Sequence, residues 1–246
     1  RLEYAAQSNL KRVYLELGGK SPNVVFADTT DLDRAAAVAA GGIFRNSGQV
    51  CVAGSRLLVE RSVHADFVAR VMAHAAAMRV GDPLDLQTNA GAIASEVQMN
   101  SILAACDRAV AEGAELRMGG TRIAAETGGF YIGPTLFDNA PQDSAVVQRE
   151  VFGPVLAVQP FDTEDEAVAM ANGTAFGLAA AVFTRDISRA HRMVSRLRAG
   201  VVHVNTYGGA DISVPLGGHG QSGNGHDKSP HAMDKYRNLK TAWIQL

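Results

Sequence analysis

Two side chains in the first quarter of the sequence carry reactive chemistry in settings that leave it usable. Cys51 closes the run Asn46-Ser-Gly-Gln-Val-Cys51, and Glu16 stands inside Leu15-Glu-Leu-Gly-Gly-Lys-Ser-Pro22. A thiolate adds to carbonyl carbon, and a partly desolvated carboxylate at the end of an apolar run can deprotonate water. Directed at one carbon, the two would act in turn. Thiolate addition to an aldehyde gives a thiohemiacetal, loss of hydride gives a thioester, and water activated by Glu16 hydrolyses it. No amino-acid side chain accepts a hydride, so this scheme calls for a nicotinamide cofactor.

Plainer readings stand beside it. A lone intracellular cysteine is most often an inert core thiol, and a glutamate beside a glycine turn is most often solvated or paired. Cys51 without redox chemistry would suit a cysteine hydrolase or acyltransferase, although no histidine lies in a recognisable partner motif. Its loop of polar and small residues leaves backbone N–H groups free to meet an oxyanion. Cys106 is the contrast: with Met99, Ile102, Leu103 and Val110 it falls on the apolar stripe of a helix predicted over residues 95–113.

The elements that would position these groups alternate between helix and strand, which predicts an α/β fold: a mainly parallel sheet flanked by helices. Thr30, Asp31 and Asp33 cap a small-residue helix through residues 35–40 toward Phe44, and Asn46-Ser-Gly48 breaks it, so Cys51 falls in a loop. Strands are predicted over residues 56–60, 154–161, 178–184 and 200–205, and helices over 64–78, 164–172 and 188–198. Residues 239–246 have strand composition but follow a glycine-rich loop, and a solitary terminal strand needs a partner.

Composition narrows the function classes. The 246 residues are 47% hydrophobic and 20% charged with a formal charge of −2, a globular protein with no electrostatic case for nucleic acid or a membrane surface. No apolar run reaches the length of a membrane span, and two cysteines suit a reducing compartment, so a cytoplasmic location is expected. Arg185, Arg189, Arg192, Arg196 and Arg198 crowd one segment, without interleaved aromatics, and read as a solvated helix face. The seven histidines show no metal-ligand spacing, and no metal is expected; His203, in a strand, reads as packed.

The two segments around Glu16 and Cys51 resemble the active-site signatures of the aldehyde dehydrogenase superfamily. A third, Arg149-Glu-Val-Phe-Gly-Pro154, is similar to that family's Glu-x-Phe-Gly-Pro motif. The resemblance implies oxidation of a small-molecule aldehyde with NAD or NADP, Cys51 as nucleophile and Glu16 as base. It implies that Glu150 holds the nicotinamide ribose, that Phe152 flanks the ring and that Gln98 touches the cofactor. Gly218-His-Gly-Gln-Ser-Gly223 fits a dinucleotide fingerprint only in spelling, since too little chain follows for a βαβ unit. It is similar instead to the family's Pro-Phe-Gly-Gly-x-Lys loop, with Leu216, Gly220 and His226 departing from the usual Phe, Lys and Arg.

The resemblance spans this chain but only the C-terminal half of family members. Residues 1–16 then end the cofactor-binding domain, residues 17–220 form the catalytic domain, residues 221–238 return toward the cofactor domain, and residues 239–246 form an oligomerisation strand of a homodimer or homotetramer. The remainder of the cofactor domain is expected before Arg1, so that this piece alone would bind cofactor poorly, turn over little aldehyde, or act as a non-catalytic assembly module. The segment 222–235 looks most like γ-glutamyl-γ-aminobutyraldehyde dehydrogenases of polyamine breakdown, which motivates Tyr207 and Asp211 as substrate-selecting residues.

Overall fold

Buried branched and aromatic side chains repeat in short runs separated by helices, and those runs pair side by side. The computed structural model describes residues 2–209 and 211–246; Arg1 and Ala210 lie outside the described residues. The strands are β1 Pro22–Val25, β2 Arg56–Glu60, β3 Glu115–Met118, β4 Arg122–Ile123, β5 Tyr131–Ile132, β6 Thr135–Asp138, β7 Val155–Phe161, β8 Phe176–Gly177, β9 Ala179–Phe183, β10 Val201–Val204, β11 Leu216–Gly217, β12 His219–Gly220 and β13 His226–Asp227. Seven form one sheet in the order β10-β9-β1-β2-β7-β6-β3, parallel throughout except for the antiparallel edge strand β3. Three short antiparallel ladders, β4 with β5, β8 with β12 and β11 with β13, sit outside it.

Helices cover both faces of the sheet, as parallel strands require. They are α1 Leu2–Gln7, α2 Leu32–Phe44, α3 His64–Ala76, α4 Glu96–Ala111, α5 Ala145–Gln148, α6 Glu164–Asn172 and α7 Ile187–Arg196. Asp31 caps α2 by accepting from the Arg34 N–H, and Ser95 caps α4 through the Gln98 N–H. Ala35, Ala36, Ala39 and Ala40 give α2 a flat buried side, which packs with α3 over Leu57, Val59 and Val158. On the other side of the sheet Phe26 meets Phe161 edge-on at 5.2 Å, under α6 and α7. A third cluster gathers Met99, Ile102 and Cys106 of α4 around Phe137, and each such large side chain contributes about 1.5–3 kcal/mol by leaving water.

The predicted helices and parallel strands form with boundaries shifted by a residue or two. Val110 is half exposed and Ala109 takes its place in the core, because a 3.6-residue turn drifts off the stripe drawn through Leu103. The arginine segment is a surface face: Arg189, Arg192 and Arg196 of α7 pair with Asp28, Glu164 and Asp165. Residues 239–246 form no ladder with any of the described residues, and Leu239, Trp243, Ile244 and Leu246 are exposed. No helix among the described residues is long and apolar enough to cross a membrane.

One buried cation ties the sheet to α6. Arg56 is 1% exposed, and its guanidinium donates to the carbonyls of Lys20 (2.9 Å), Met170 (2.8 Å) and Ala171 (2.6 Å). It supplies donors to the last turn of α6, whose carbonyls lack partners within the helix. Arg56→Met would strand all three acceptors, and a loss of about 3 kcal/mol in a urea melt is expected; a loss below about 1 kcal/mol would show that the guanidinium does not hold this junction.

Candidate active site

Cys51 reaches its position through an unusual turn. After α2 ends, Asn46, Ser47 and Gly48 take φ of 55°, 53° and 67°, three consecutive left-handed residues. Such a run is unfavourable by about 1–2 kcal/mol for each residue carrying a Cβ, so it must be held from outside. The Ser47 hydroxyl donates to the Gly91 carbonyl at 2.7 Å, and the Asn46 amide donates to Gln49 at 3.2 Å. Gly48 is packed so closely on residues 153–154 that a Cβ would stand 2.0 Å from the Gly153 oxygen. The loop then turns through a hydrogen bond from the Ala53 N–H to the Val50 carbonyl and returns to α2 by the Gly54 N–H to Gly42.

Glu16 is held by the glycine-rich segment. It forms an isolated antiparallel bridge with Gly223, and the Leu17 N–H donates to the Ser222 carbonyl at 3.1 Å. Asn224 acts as a second clamp: its side-chain oxygen accepts from the Leu15 N–H, and its amide donates to the Val13 carbonyl. A Cβ on Gly223, at φ 115°, would fall 1.9 Å from the Leu15 oxygen. Gly218-His-Gly-Gln-Ser-Gly223 thus opens no helix and works as a clasp on the segment that carries Glu16.

These two segments meet. The Gly19 backbone lies against Cys51, where a Cβ would stand 2.3 Å from the Cys51 carbonyl oxygen. Burial raises the Cys51 thiol above its ordinary range, the negative charge of Glu16 raises it further, and Glu150 adds to the same effect. Among the described residues no imidazole acts on the sulfur. Glu16 is itself raised, by burial first and then by Asp227, while Lys235 opposes; its Oε1 is buried without a hydrogen-bond partner. Lys235 pairs with Asp227. A protonated thiol beside a carboxylate of raised basicity is a nucleophile with a base at hand.

The third loop is the turn carrying Glu150 and Phe152. Glu150 accepts from the Gly19 N–H at 2.9 Å, and its carboxylate occupies the space a Cβ on Gly18 would need. Phe152, at φ 54°, holds its ring 39% exposed. Gln98 donates to the carbonyls of Val151 and Phe152, both at 3.0 Å, so its amide braces this turn. A carboxylate that can accept from sugar hydroxyls and an exposed aromatic face beside the thiol loop fit a nicotinamide riboside in donor set and shape.

Tyr207 and Asp211 part company. The Tyr207 hydroxyl donates to the Val52 carbonyl, its ring fits into the space left by Gly42, and burial pushes its phenol well up. With Val50 and Val52 it borders a groove of about 410 Å³ along α2. Asp211 is exposed, accepts from the Ser213 N–H at 2.8 Å, and is not among the residues lining that groove.

Lys20 and Arg56, Asn224 and Ser222 are not distinguished by sequence pattern. Lys20 is 2% exposed with its ammonium unpartnered, and burial lowers it to about 7, helped by Arg56 and opposed by Glu150.

The profile of the aldehyde dehydrogenase family matches residues 1–242. The NADP/NAD-dependent aldehyde dehydrogenase PuuC of Escherichia coli is 46% identical over 245 residues, covering 100% of this chain and 49% of that protein. A solved indole-3-acetaldehyde dehydrogenase in complex with NAD+ superposes with a TM-score of 0.98 at 51% identity, over 100% of this chain and 50% of its own. The γ-glutamyl-γ-aminobutyraldehyde dehydrogenase of Burkholderia cenocepacia gives 0.94 at 52%, over 97% and 48%. The chain spans about half the length of the curated relatives it matches.

Lys20 generates a pH prediction. The unfolded chain keeps that proton up to about 10.5 and the folded chain only to about 7, so unfolding takes up a proton between them and stability attributable to this group rises with pH across that window. Lys20→Met is expected to raise the melting temperature most below pH 7, with the gain shrinking toward pH 10. A gain independent of pH would show that the ammonium is not held desolvated.

Proposed function

The chain belongs to the aldehyde dehydrogenase family, and from that membership we propose that the protein containing it oxidises an aldehyde to a carboxylic acid with NAD or NADP, using Cys51 as nucleophile and Glu16 as base. One observation carries the reading: the segment that carries Glu16 crosses the Cys51 loop at Gly19, whose backbone rests on the Cys51 carbonyl, and the Glu16 charge acts on the thiol. Two groups that act on one carbon in turn must share a pocket.

Cys51 begins as a thiol, and Glu16 is the carboxylate whose charge acts most strongly on it. Release of the thiol proton to solvent frees a thiolate, which bonds to the carbonyl carbon while the π pair moves to oxygen, and Glu16 stays ionised for the later step. In this scheme the Cys51 N–H receives that oxyanion. A nicotinamide cofactor, when bound, supplies the hydride acceptor that this chain lacks, with Glu150 toward its ribose hydroxyls and Phe152 against its ring. The thioester left on Cys51 is then hydrolysed: Glu16 takes a proton from water, the hydroxide oxygen bonds to the acyl carbon, and the thiolate leaves. Gln98 positions the turn that carries Glu150 and Phe152. The aldehyde of choice is an aminoaldehyde derivative of the γ-glutamyl-γ-aminobutyraldehyde kind, a reading supported by the name of the Burkholderia relative.

In the whole protein, Cys51→Ala is expected to abolish NAD(P)H formation. Glu16→Gln should lower kcat by about 10²–10⁴-fold while leaving a first-turnover burst of NAD(P)H close to one per site, because the acyl group forms and then waits. If the burst disappears together with the steady state, Glu16 is needed to form the acyl group and the assigned order of steps falls.

The exposed tail suits assembly. Leu239, Trp243, Ile244 and Leu246 offer an apolar edge without a strand partner in this chain, and such an edge adds to another sheet. A homodimer or homotetramer built on this tail should shift to smaller species in light scattering when residues 239–246 are removed; unchanged mass would exclude the tail as the joint.

A further inference from the structure

The groove beside Cys51 is charged in one sense only. Arg34, Val38, Gly41 and Arg45 fall on one face of α2 and its end, at spacings of four, three and four residues. Val50, Val52 and Tyr207 close the other side, so the groove runs up to the two residues that flank the nucleophile. Among the described residues no acidic one lines it. Arg34 and Arg45 make no ion pair among the described residues, whereas the arginines of α7 are matched with acids.

A cation at the C-terminus of a helix is favourable on its own, which would account for Arg45. It does not account for Arg34, which sits in the first turn of α2 where the same dipole disfavours a cation. Both point to a ligand of opposite sign. Glu16 acts on the same sulfur and does not line the groove, so an anionic group is repelled from the Glu16 side and favoured between the arginines. Arg45 ends α2 at the turn that delivers Cys51, and Arg34 stands about 16 Å farther along the helix axis. Arg45 is therefore the contact for a chain of a few carbons, and Arg34 extends the positive field for longer ones.

We propose that Arg45 selects aldehydes whose far end carries a carboxylate, with the carbonyl at Cys51 and the tail in the α2 groove, so that the product is a dicarboxylate. The inference rests on the aldehyde-oxidation reading and deepens it; a γ-glutamyl aldehyde has such a carboxylate at its distal end. An Arg guanidinium fits a carboxylate in two parallel hydrogen bonds, which a lysine cannot reproduce.

The test compares 5-oxopentanoate with its methyl ester in the whole protein. Arg45→Met is expected to lower the ratio of kcat/KM for the acid over the ester by about tenfold to a hundredfold, through KM, with Arg45→Lys recovering part of it. A second measurement needs neither cofactor nor turnover: glutarate should slow alkylation of Cys51 by iodoacetamide in the unmodified protein, neutral glutaramide should not, and Arg45→Met should remove the protection. A ratio unchanged within about twofold, or equal protection by glutarate and glutaramide, overturns the proposal. If neither aldehyde is oxidised yet glutarate protects in an Arg45-dependent way, the carboxylate site stands and the oxidation reading falls.

Discussion

Close backbone approach, permitted by missing Cβ atoms, is the constraint on which the site depends. Three crossings make it: Gly19 on the Cys51 carbonyl, Gly48 on the Gly153 carbonyl, and Gly223 on the Leu15 carbonyl, where an added Cβ would stand 2.3, 2.0 and 1.9 Å from oxygen. In each case the obstacle is backbone, which cannot swing aside as a long side chain can. Together they interlock four loops around one sulfur. The rigid part is the parallel sheet below: β1 leads out of the Glu16 segment, β2 leads out of the Cys51 loop, and the two strands pair in register from Pro22 with Arg56. The functional loops thus hang from the amino ends of adjacent strands, the end opposite to the one where open α/β sheets usually place their ligands.

Buried charge gives the same region a second kind of order. Arg56 is satisfied by three carbonyls, while Lys20 beside it has no hydrogen-bond partner for its ammonium and yields much of its basicity. Desolvation also raises Glu16, Cys51 and Glu150. Each of these groups holds a proton more or less tightly than it would in water because the interlocked glycines exclude solvent around it. Packing and reactivity are set by one cause.

Much of the fold was legible because its signals are local. The cap at Asp31, the break after Phe44 and the apolar runs of β2, β7 and β9 each act within a few residues. The edge strand β3 was not legible: Glu115–Met118 is mostly exposed and carries no apolar run. The same limit applied to the site. Cys51, Glu16, Glu150 and Phe152 stood out through motif spelling, whereas the clasp of Ser222 and Asn224 on residues 13–17 joins positions more than 200 apart. Arg56 read as one more strand residue because only the tertiary arrangement aims α6 at it. The tail at residues 239–246 carries strand composition without strand structure, since a ladder needs a second edge.

Tyr207 links two places that would otherwise be independent. Its ring walls the α2 groove, and its hydroxyl grips the carbonyl of Val52, the neighbour of the sulfur. A ligand that fills the groove therefore presses on the residue that pins the backbone next to the sulfur, and a substitution at Tyr207 alters wall and anchor at once.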